Sequence, residues 1–524
     1  MQPPFPAARS SPARCAPRPV DTMADWHPKQ WITLLALSFS VFMISLDVTV
    51  VSVALPAIQR ELGLSLASLQ WVVSAYSLSF GALLIAGGTL ADHYGRRRVF
   101  SIGLVVFSLA SAACGLAHSG AGLNAARMVQ GVGAALMSSS SMALVASAFP
   151  GRDRASAYGV WGASLGLGLA FGPMLGGYIT VHWGWHWVFL VNAPIGALIL
   201  SAVLKTVVEA KDPLARRFDL FGLLSFSSGI ALLIYALNSG DKLGWSSPRE
   251  LALLALASGL LLAFVLIERG QERPLFDLRL FALPTFVGVS IVPLAASTGY
   301  WALFIYLPWY FDRVLQLAPA QAGITMLPYT LPMLIMPPLA ARLSRVMAPQ
   351  HQFFLGLLMI ALGDMALAHA IDGGGALMWP LLLAGVGAGS INAQISSVAV
   401  SVVPVERAGM ASGISATMRQ IGYALAIAGL GVVLVSQFAH ALDSAMAQRP
   451  EFAGIDTHQL MEAFETGRPL PGFGASDDLT QRLSQLVVAS FVQGMRAMLW
   501  TAAAVSAVGA LLALKLIRSN EVAA

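Results

Sequence analysis

Along the chain, long apolar runs alternate with short breaks rich in charge, proline or glycine. A helix rises ~1.5 Å per residue, so crossing a bilayer core takes about 20 apolar residues. Read on that measure, the pattern predicts fourteen helical spans. They begin near Trp31, Leu69, Val99, Ala121, Ala157, Trp187, Asp219, Glu250, Pro284, Ala320, Gln352, Ala376, Gly409 and Leu486. The interval 438–485 breaks the rhythm and reads as a long acidic loop, with seven carboxylates against three arginines. The predicted class is an all-α polytopic membrane protein.

Composition sharpens this reading. The 524 residues are 57% hydrophobic and 11% charged, against roughly 45–50% and about 25% in soluble domains. A soluble enzyme, a disordered regulator and a disulfide scaffold are excluded. Cys15 and Cys114 sit in unrelated contexts and do not suggest a bridge. The net charge of +5 is spread over many short loops, so it reports membrane orientation rather than nucleic-acid binding. With a cytoplasmic N-terminus, 21 of the 31 basic residues collect on the cytoplasmic side. Both termini are therefore expected there, in a bacterial inner membrane. Arg127, Arg419 and Arg496 fall inside spans. Residues 1–22 are Pro/Arg/Ala-rich and lack an apolar core, which predicts a disordered tail rather than a signal; Met23 is an alternative start.

The chain also repeats itself. Gln59-Arg60-x-Leu62-x-Leu64 recurs as Asp312-Arg313-x-Leu315-x-Leu317 at an offset of 253, and Leu55-Pro56 as Leu307-Pro308 at 252. Gly131-Val132-Gly133-Ala134 returns as Gly385-Val386-Gly387-Ala388 at 254, and Asp153-Arg154-Ala155 answers Glu406-Arg407-Ala408. Four matches in one register predict two six-helix units with an inserted pair. The expected boundaries are a tail at 1–29, bundles at 30–208 and 276–516, the pair at 209–275, and a C-terminal tail at 517–524. Duplicated six-span halves are a transporter architecture that works by rocking. The copies differ in chemistry: Asp47 maps to Tyr300, Arg127 to Leu381, Gly172-Pro173 to Leu425-Ala426 and Asp92 to Arg345. Energy coupling is expected in the N-terminal half.

Several segments carry sharper signals. Gly88-Thr-Leu-Ala-Asp92-His-Tyr-Gly95-Arg96-Arg97-Arg98 lies between spans 2 and 3, and Arg127-x-x-Gln130-Gly131-x-Gly133 lies in span 4. Span 5 contains Gly159-x8-Gly168-x3-Gly172-Pro173-x2-Gly176-Gly177. Span 1 contains Asp47-x-Thr49-Val50-Val51, and Arg407-Ala408-Gly409 leads to Arg419-Gln420 in span 13. Together these segments resemble the major facilitator superfamily, and within it the fourteen-span drug/proton antiporter branch. The resemblance covers roughly residues 30–437 and the last span. It departs from the pattern at Phe311-Asp312 and His186, which loosens any inference about substrate.

The resemblance implies proton-coupled export, with Asp47 and Arg127 lining one cavity. It also implies a cytoplasmic latch of Gly88, Asp92, Gly95 and Arg96, with Asp92 facing the helix start at Gly409. Gly159, Gly168, Gly172, Pro173, Gly176 and Gly177 would form the antiporter gate. Elementary physics stands beside these expectations. A carboxylate in an apolar span is expensive and usually functional, and one near a cation either stays ionised or takes a proton when the partner leaves. A static ion pair is the structural alternative. Pro173 removes a backbone hydrogen bond and permits a bend, while glycines also serve plain helix packing.

Tyr300, Trp301, Phe304, Asp364 and Arg419 are candidate cavity residues. Asp364 reads as a counter-charge, a second proton site or a buried neutral acid; Asn392 and Gln394 read as interhelical hydrogen-bonders. Neither a phosphate loop, a metal cluster nor a catalytic triad is visible, so no enzyme and no cofactor beyond a proton gradient is expected. The expected function is antiport of protons against hydrophobic or cationic drugs. The alternatives are a dedicated metabolite or antibiotic exporter, an uptake symporter and a transporter-like sensor. Expected partners are lipid, substrate and protons, with the acidic loop either a spacer or a dock for a periplasmic adaptor and its outer-membrane channel.

Overall fold

The computed structural model describes residues 26–149, 153–209, 220–244, 246–271, 278–344, 346–371, 376–403, 408–452, 454–466 and 477–518. The described residues form helices and no strand. In the first half these are α1 (Pro28–Leu62), α2 (Leu66–Tyr94), α3 (Arg96–Gly115), α4 (Gly120–Ala148), α5 (Asp153–Trp183), α6 (His186–Leu190) and α7 (Asn192–Thr206). An intervening pair follows, α8 (Leu220–Leu243) and α9 (Pro248–Arg269). The second half contains α10 (Pro284–Arg313), α11 (Pro319–Thr325), α12 (Leu327–Leu343), α13 (Pro349–Ala370), α14 (Met378–Ser401), α15 (Ala408–Ala447), α16 (Thr457–Thr466) and α17 (Asp477–Leu516).

The ends follow local chemistry. Ser65, Ser119 and Ser247 each accept a backbone N–H of the helix they start, satisfying one orphan donor apiece. Gly63 closes α1 in the left-handed region, with φ 62°.

Twelve helices are long and apolar enough to cross a membrane, counting α6 and α7 as one, and α11 with α12 make a thirteenth bent by 44°. The bend falls where Pro328 opens α12. The expected fourteenth crossing corresponds to α8, whose apolar stretch Phe221–Leu237 is a shorter one. Among the described residues, length and composition therefore give twelve to thirteen crossings.

The loop expected at 438–485 is also narrower. Helices α15 and α17 are 40 residues each, so the connection runs only from 448 to 476 and contains α16. Buried Phe438, Leu442 and Met446 recur at helical spacing, as do Leu483 and Val487; the polar residues between them occupy the other face. Of the tail expected at 1–29, residues 1–25, with Cys15 and Met23, lie outside the described residues, as do Arg345, the repeat counterpart of Asp92, and Arg407; residues 28 and 29 already belong to α1.

The internal repeat appears as matching helix contacts. In the first half α1 packs on α5, α2 on α4, and α3 on α4 and α7. In the second, α10 packs on α15, α12 on α14, and α13 on α14 and α17. Glycines reproduce the pattern in detail. A Cβ on Gly131 would strike the Tyr76 carbonyl, and one on Gly385 the Tyr329 carbonyl, 253 positions later. Gly133 likewise meets Gly103 as Gly387 meets Gly356. The halves touch through α1 with α10, α2 with α15, and α5 with α11 and α12. Helix α8 lies against both α2 and α15. Burial follows: 78% of the apolar window of α1 and 83% of that of α10 are buried, against 17% for the peripheral α9.

Candidate functional site

The most polar interior of the first half is centred on Asp47. Arg127 Nη1 donates to Asp47 Oδ2 at 2.5 Å, and both side chains are closed to solvent. Gln130 Nε2 donates to Asp47 Oδ1 at 2.8 Å, with Asn192 Nδ2 at 3.5 Å. Arg127 also donates to Gln130 Oε1 at 2.8 Å and, through Nε, to the Val72 carbonyl at 2.9 Å. Its guanidinium lies over the Tyr76 ring, 4.4 Å from the centroid. Asn192 and Ser111 continue the network to the Phe189 carbonyl. Four helices, α1, α3, α4 and α7, thus converge on one compensated carboxylate. Protonating Asp47 would cancel the attraction and leave Arg127 buried without its counter-charge, so one proton and one helix contact are energetically linked.

Helix α5 flanks this cluster and packs tightly on α1. Gly168, Gly172 and Gly176 recur every four residues, and a Cβ on them would meet Ser45, Thr49 and Val50 respectively. Thr49 Oγ1 donates to the Gly168 carbonyl at 3.1 Å. Gly177 faces the other way, onto Pro319 and Ala320 of the second half, and the Pro173 carbonyl meets Gly323 there. Gly159, at the far end of the same segment, has nothing within 4 Å of a built Cβ. The segment is thus a double seam with one open end; Pro173 leaves α5 a single helix.

Between α2 and α3, Gly95 has φ 111°, a conformation that favours glycine. Asp92 accepts from Arg96 Nε at 3.0 Å and Nη2 at 2.9 Å. The group on the α3 N-terminus is Glu209, which accepts from the Arg97 and Arg98 amides at 3.0 and 3.2 Å. A carboxylate there complements the helix dipole. Gly88 sits in ordinary contact with Ser139, whereas its neighbour Gly87 is pressed against Ser139 and the Ala135 carbonyl.

In the second half the expected aromatic residues do assemble. Trp301 lies 5.3 Å from Tyr300, 4.9 Å from Phe304 and 4.6 Å from Tyr423, centroid to centroid; Phe304 lies 5.1 Å from Tyr329. Helix α15, which carries Tyr423, packs on α2 across the seam, where Gly81 meets Gln420 and Gly431 meets Gln70. Asn392 accepts from the Tyr300 hydroxyl at 3.3 Å. Asp364 and Arg419 are not brought together. Asp364 is fully buried with neither carboxylate oxygen hydrogen-bonded, while Arg419 acts electrostatically on Tyr300.

At the ends of α1 and α10 the halves are clasped. Trp309 Nε1 and Arg313 Nη2 donate to Gln59 Oε1 at 3.0 and 3.3 Å, and Arg60 pairs with Asp312 at 3.2 Å. These are the repeated Gln59-Arg60 and Asp312-Arg313 elements, brought face to face. Arg313 also donates to the Glu465 carbonyl at the end of α16.

A family model described as "Major Facilitator Superfamily" matches residues 37–427. The chain belongs to the major facilitator superfamily. Among its superfamily relatives is the multidrug resistance protein Stp of Mycobacterium tuberculosis, 37% identical over 83% of this chain and 81% of that one. Another is the tetracenomycin C resistance and export protein of Streptomyces glaucescens, 32% identical over 93% and 91%. A solved bacterial homologue of the lysosomal transporter Spinster shares the fold, with a TM-score of 0.63 at 18% identity, over 95% of this chain and 99% of that one.

Against this superfamily background, the sequence pattern missed Gln130 as a direct Asp47 partner, Asn192 and Ser111 as its extension, Glu209 as a helix cap, and Tyr329 and Tyr423 as members of the aromatic cluster. Gln130 was legible as part of the span 4 motif. The others carry no local signal, because their roles arise from helices far apart in sequence.

Proposed function

We propose that this membrane transporter exports hydrophobic or cationic drugs in exchange for protons. The reading extends the superfamily membership and the names of its relatives, which include multidrug resistance and antibiotic export proteins. The single observation that carries it is the sealed Asp47–Arg127 pair, an intramembrane charge cluster beside the α5 glycine seam. An exporter of this kind takes up a proton at Asp47, loosens α1 from α4, and returns the proton on the other side as the bundles rock. The Gln59–Trp309 and Arg60–Asp312 contacts close the outer face in this conformation, and the glycine seam keeps α1 and α5 moving together so that protons do not leak. Asp92 and Arg96 form the cytoplasmic latch.

In this reading α8 is the fourteenth crossing, the termini are cytoplasmic in a bacterial inner membrane, and no cofactor beyond the proton gradient is needed. The acidic connection around α16 offers the place for a periplasmic adaptor. A second reading, a dedicated exporter of one antibiotic, is favoured by the 93% coverage shared with the tetracenomycin C export protein.

The test is ethidium uptake into inverted vesicles with an acidic lumen. Uptake should stop when nigericin collapses the pH gradient. Uptake that continues unchanged without any gradient contradicts the reading.

A further inference from the structure

Among the described residues the two halves hold one fully buried carboxylate each inside their bundles, Asp47 and Asp364, and they hold it differently. The repeat places Asp364 at the position of Ser111, at the same offset of 253 that relates Gly356 to Gly103 and Tyr329 to Tyr76. Ser111 belongs to the Asp47 network. The acid of the second half therefore stands on α13 within the counterpart of that network, with the rest of the network removed. Where the first half has Arg127 and Gln130, the second has Leu381 and Ala384. Both are buried, and Gly363 beside Asp364 packs directly on Ala384.

The surroundings offer no counter-charge among the described residues. Helix α14 has no ionisable residue. On α17, Arg496 lies nearer the end of the bundle, by Ile371 and Val314. On α10, Tyr300 gives its hydroxyl to Asn392 and Tyr310 gives its own to the Ile371 carbonyl at the end of α13. From α12, Tyr329 is in electrostatic range of Asp364 but donates its hydroxyl to the Tyr300 carbonyl at 2.5 Å. Arg419 on α15 acts on Tyr300. An isolated buried carboxylate is far too expensive to stay ionised, and neutralises instead.

We propose that Asp364 is a second proton-binding site, held as the neutral acid in this conformation while Asp47 stays charged. It releases its proton when a cationic substrate settles at the aromatic cluster of Trp301, Phe304 and Tyr329, the last of which neighbours Asp364. On release the carboxyl O–H bond breaks, the electron pair stays on the carboxylate, and the proton passes to the water that enters with the substrate. The new carboxylate is then compensated by the substrate's cation. This inference deepens the antiport reading and rests on it.

The experiment adds ethidium to the purified full-length protein in weakly buffered detergent and counts released protons with an indicator dye. Asp364→Asn should bind ethidium but release fewer protons than the wild type, by about one per protein; Asp364→Glu should restore the count. An Asp364→Asn protein that releases as many protons as the wild type overturns the inference. If that variant does not fold, infrared difference spectra of the wild type decide. A protonated-carboxyl band lost on ethidium binding supports the site, and its absence overturns it. Failure of the antiport reading is distinguishable, because it appears as gradient-independent uptake by the wild type in vesicles.

Discussion

Asp47 and Asp364 are both buried in apolar bundles, in halves that share one architecture, yet one carries a full set of partners and the other none. Asp47 is met by a guanidinium and two amides; Asp364 has neither oxygen satisfied. Duplication thus supplied two equivalent scaffolds, and loss or retention of a few side chains gave them different electrostatics. Asp47 is thus tied to its neighbours by charge and hydrogen bonds, whereas Asp364 is held by packing alone.

The largest contrast is expected from truncating each site. Arg127→Ala leaves Asp47 as an uncompensated charge and should destabilise the protein by ~3–5 kcal/mol, seen as a marked drop in the thermal midpoint in detergent. Asp364→Leu removes a group with no partner, so its midpoint should equal or exceed the wild type's. Equal losses in both variants would erase the distinction between the sites. A smaller effect separates the ends of the α5 segment. Gly172→Val drives a side chain into Thr49 and should lose ~1–3 kcal/mol, with transport impaired, while Gly159→Val, in open space, should leave both stability and transport near wild type. Comparable transport defects would show that the open end also takes part in gating. The smallest effect belongs to the end clasp. Arg60 is 48% exposed, so Arg60→Ala should change stability by no more than ~1 kcal/mol, and added salt should weaken the wild type towards the variant in the same assay.

Much of this arrangement was written in the sequence, for identifiable reasons. Long apolar runs show helices, and a constant offset shows duplication, because both signals are linear. Asp47, Arg127 and the α5 glycines were legible because charge and small residues are conspicuous in an apolar helix. The crossing count was less secure. The Pro328 break divides one crossing in two. The ends of α15 and α17 were missed because their outer turns are amphipathic and read as polar when taken linearly. Asn192, Ser111 and Tyr423 were silent, since nothing near them in sequence indicates that they join the Asp47 network or the aromatic cluster. Whether Asp364 pairs with Arg419 was equally unreadable, as spacing along the chain has no bearing on distance between α13 and α15.

The central claim, that the charge pair in the first half couples protons to export, is tested most directly with Asp47→Asn in proteoliposomes under an imposed pH gradient. The wild type should move ethidium faster as the gradient steepens, while Asp47→Asn should still bind ethidium and move it at a rate indifferent to the gradient. An Asp47→Asn protein that transports at the full, gradient-dependent rate would contradict the claim.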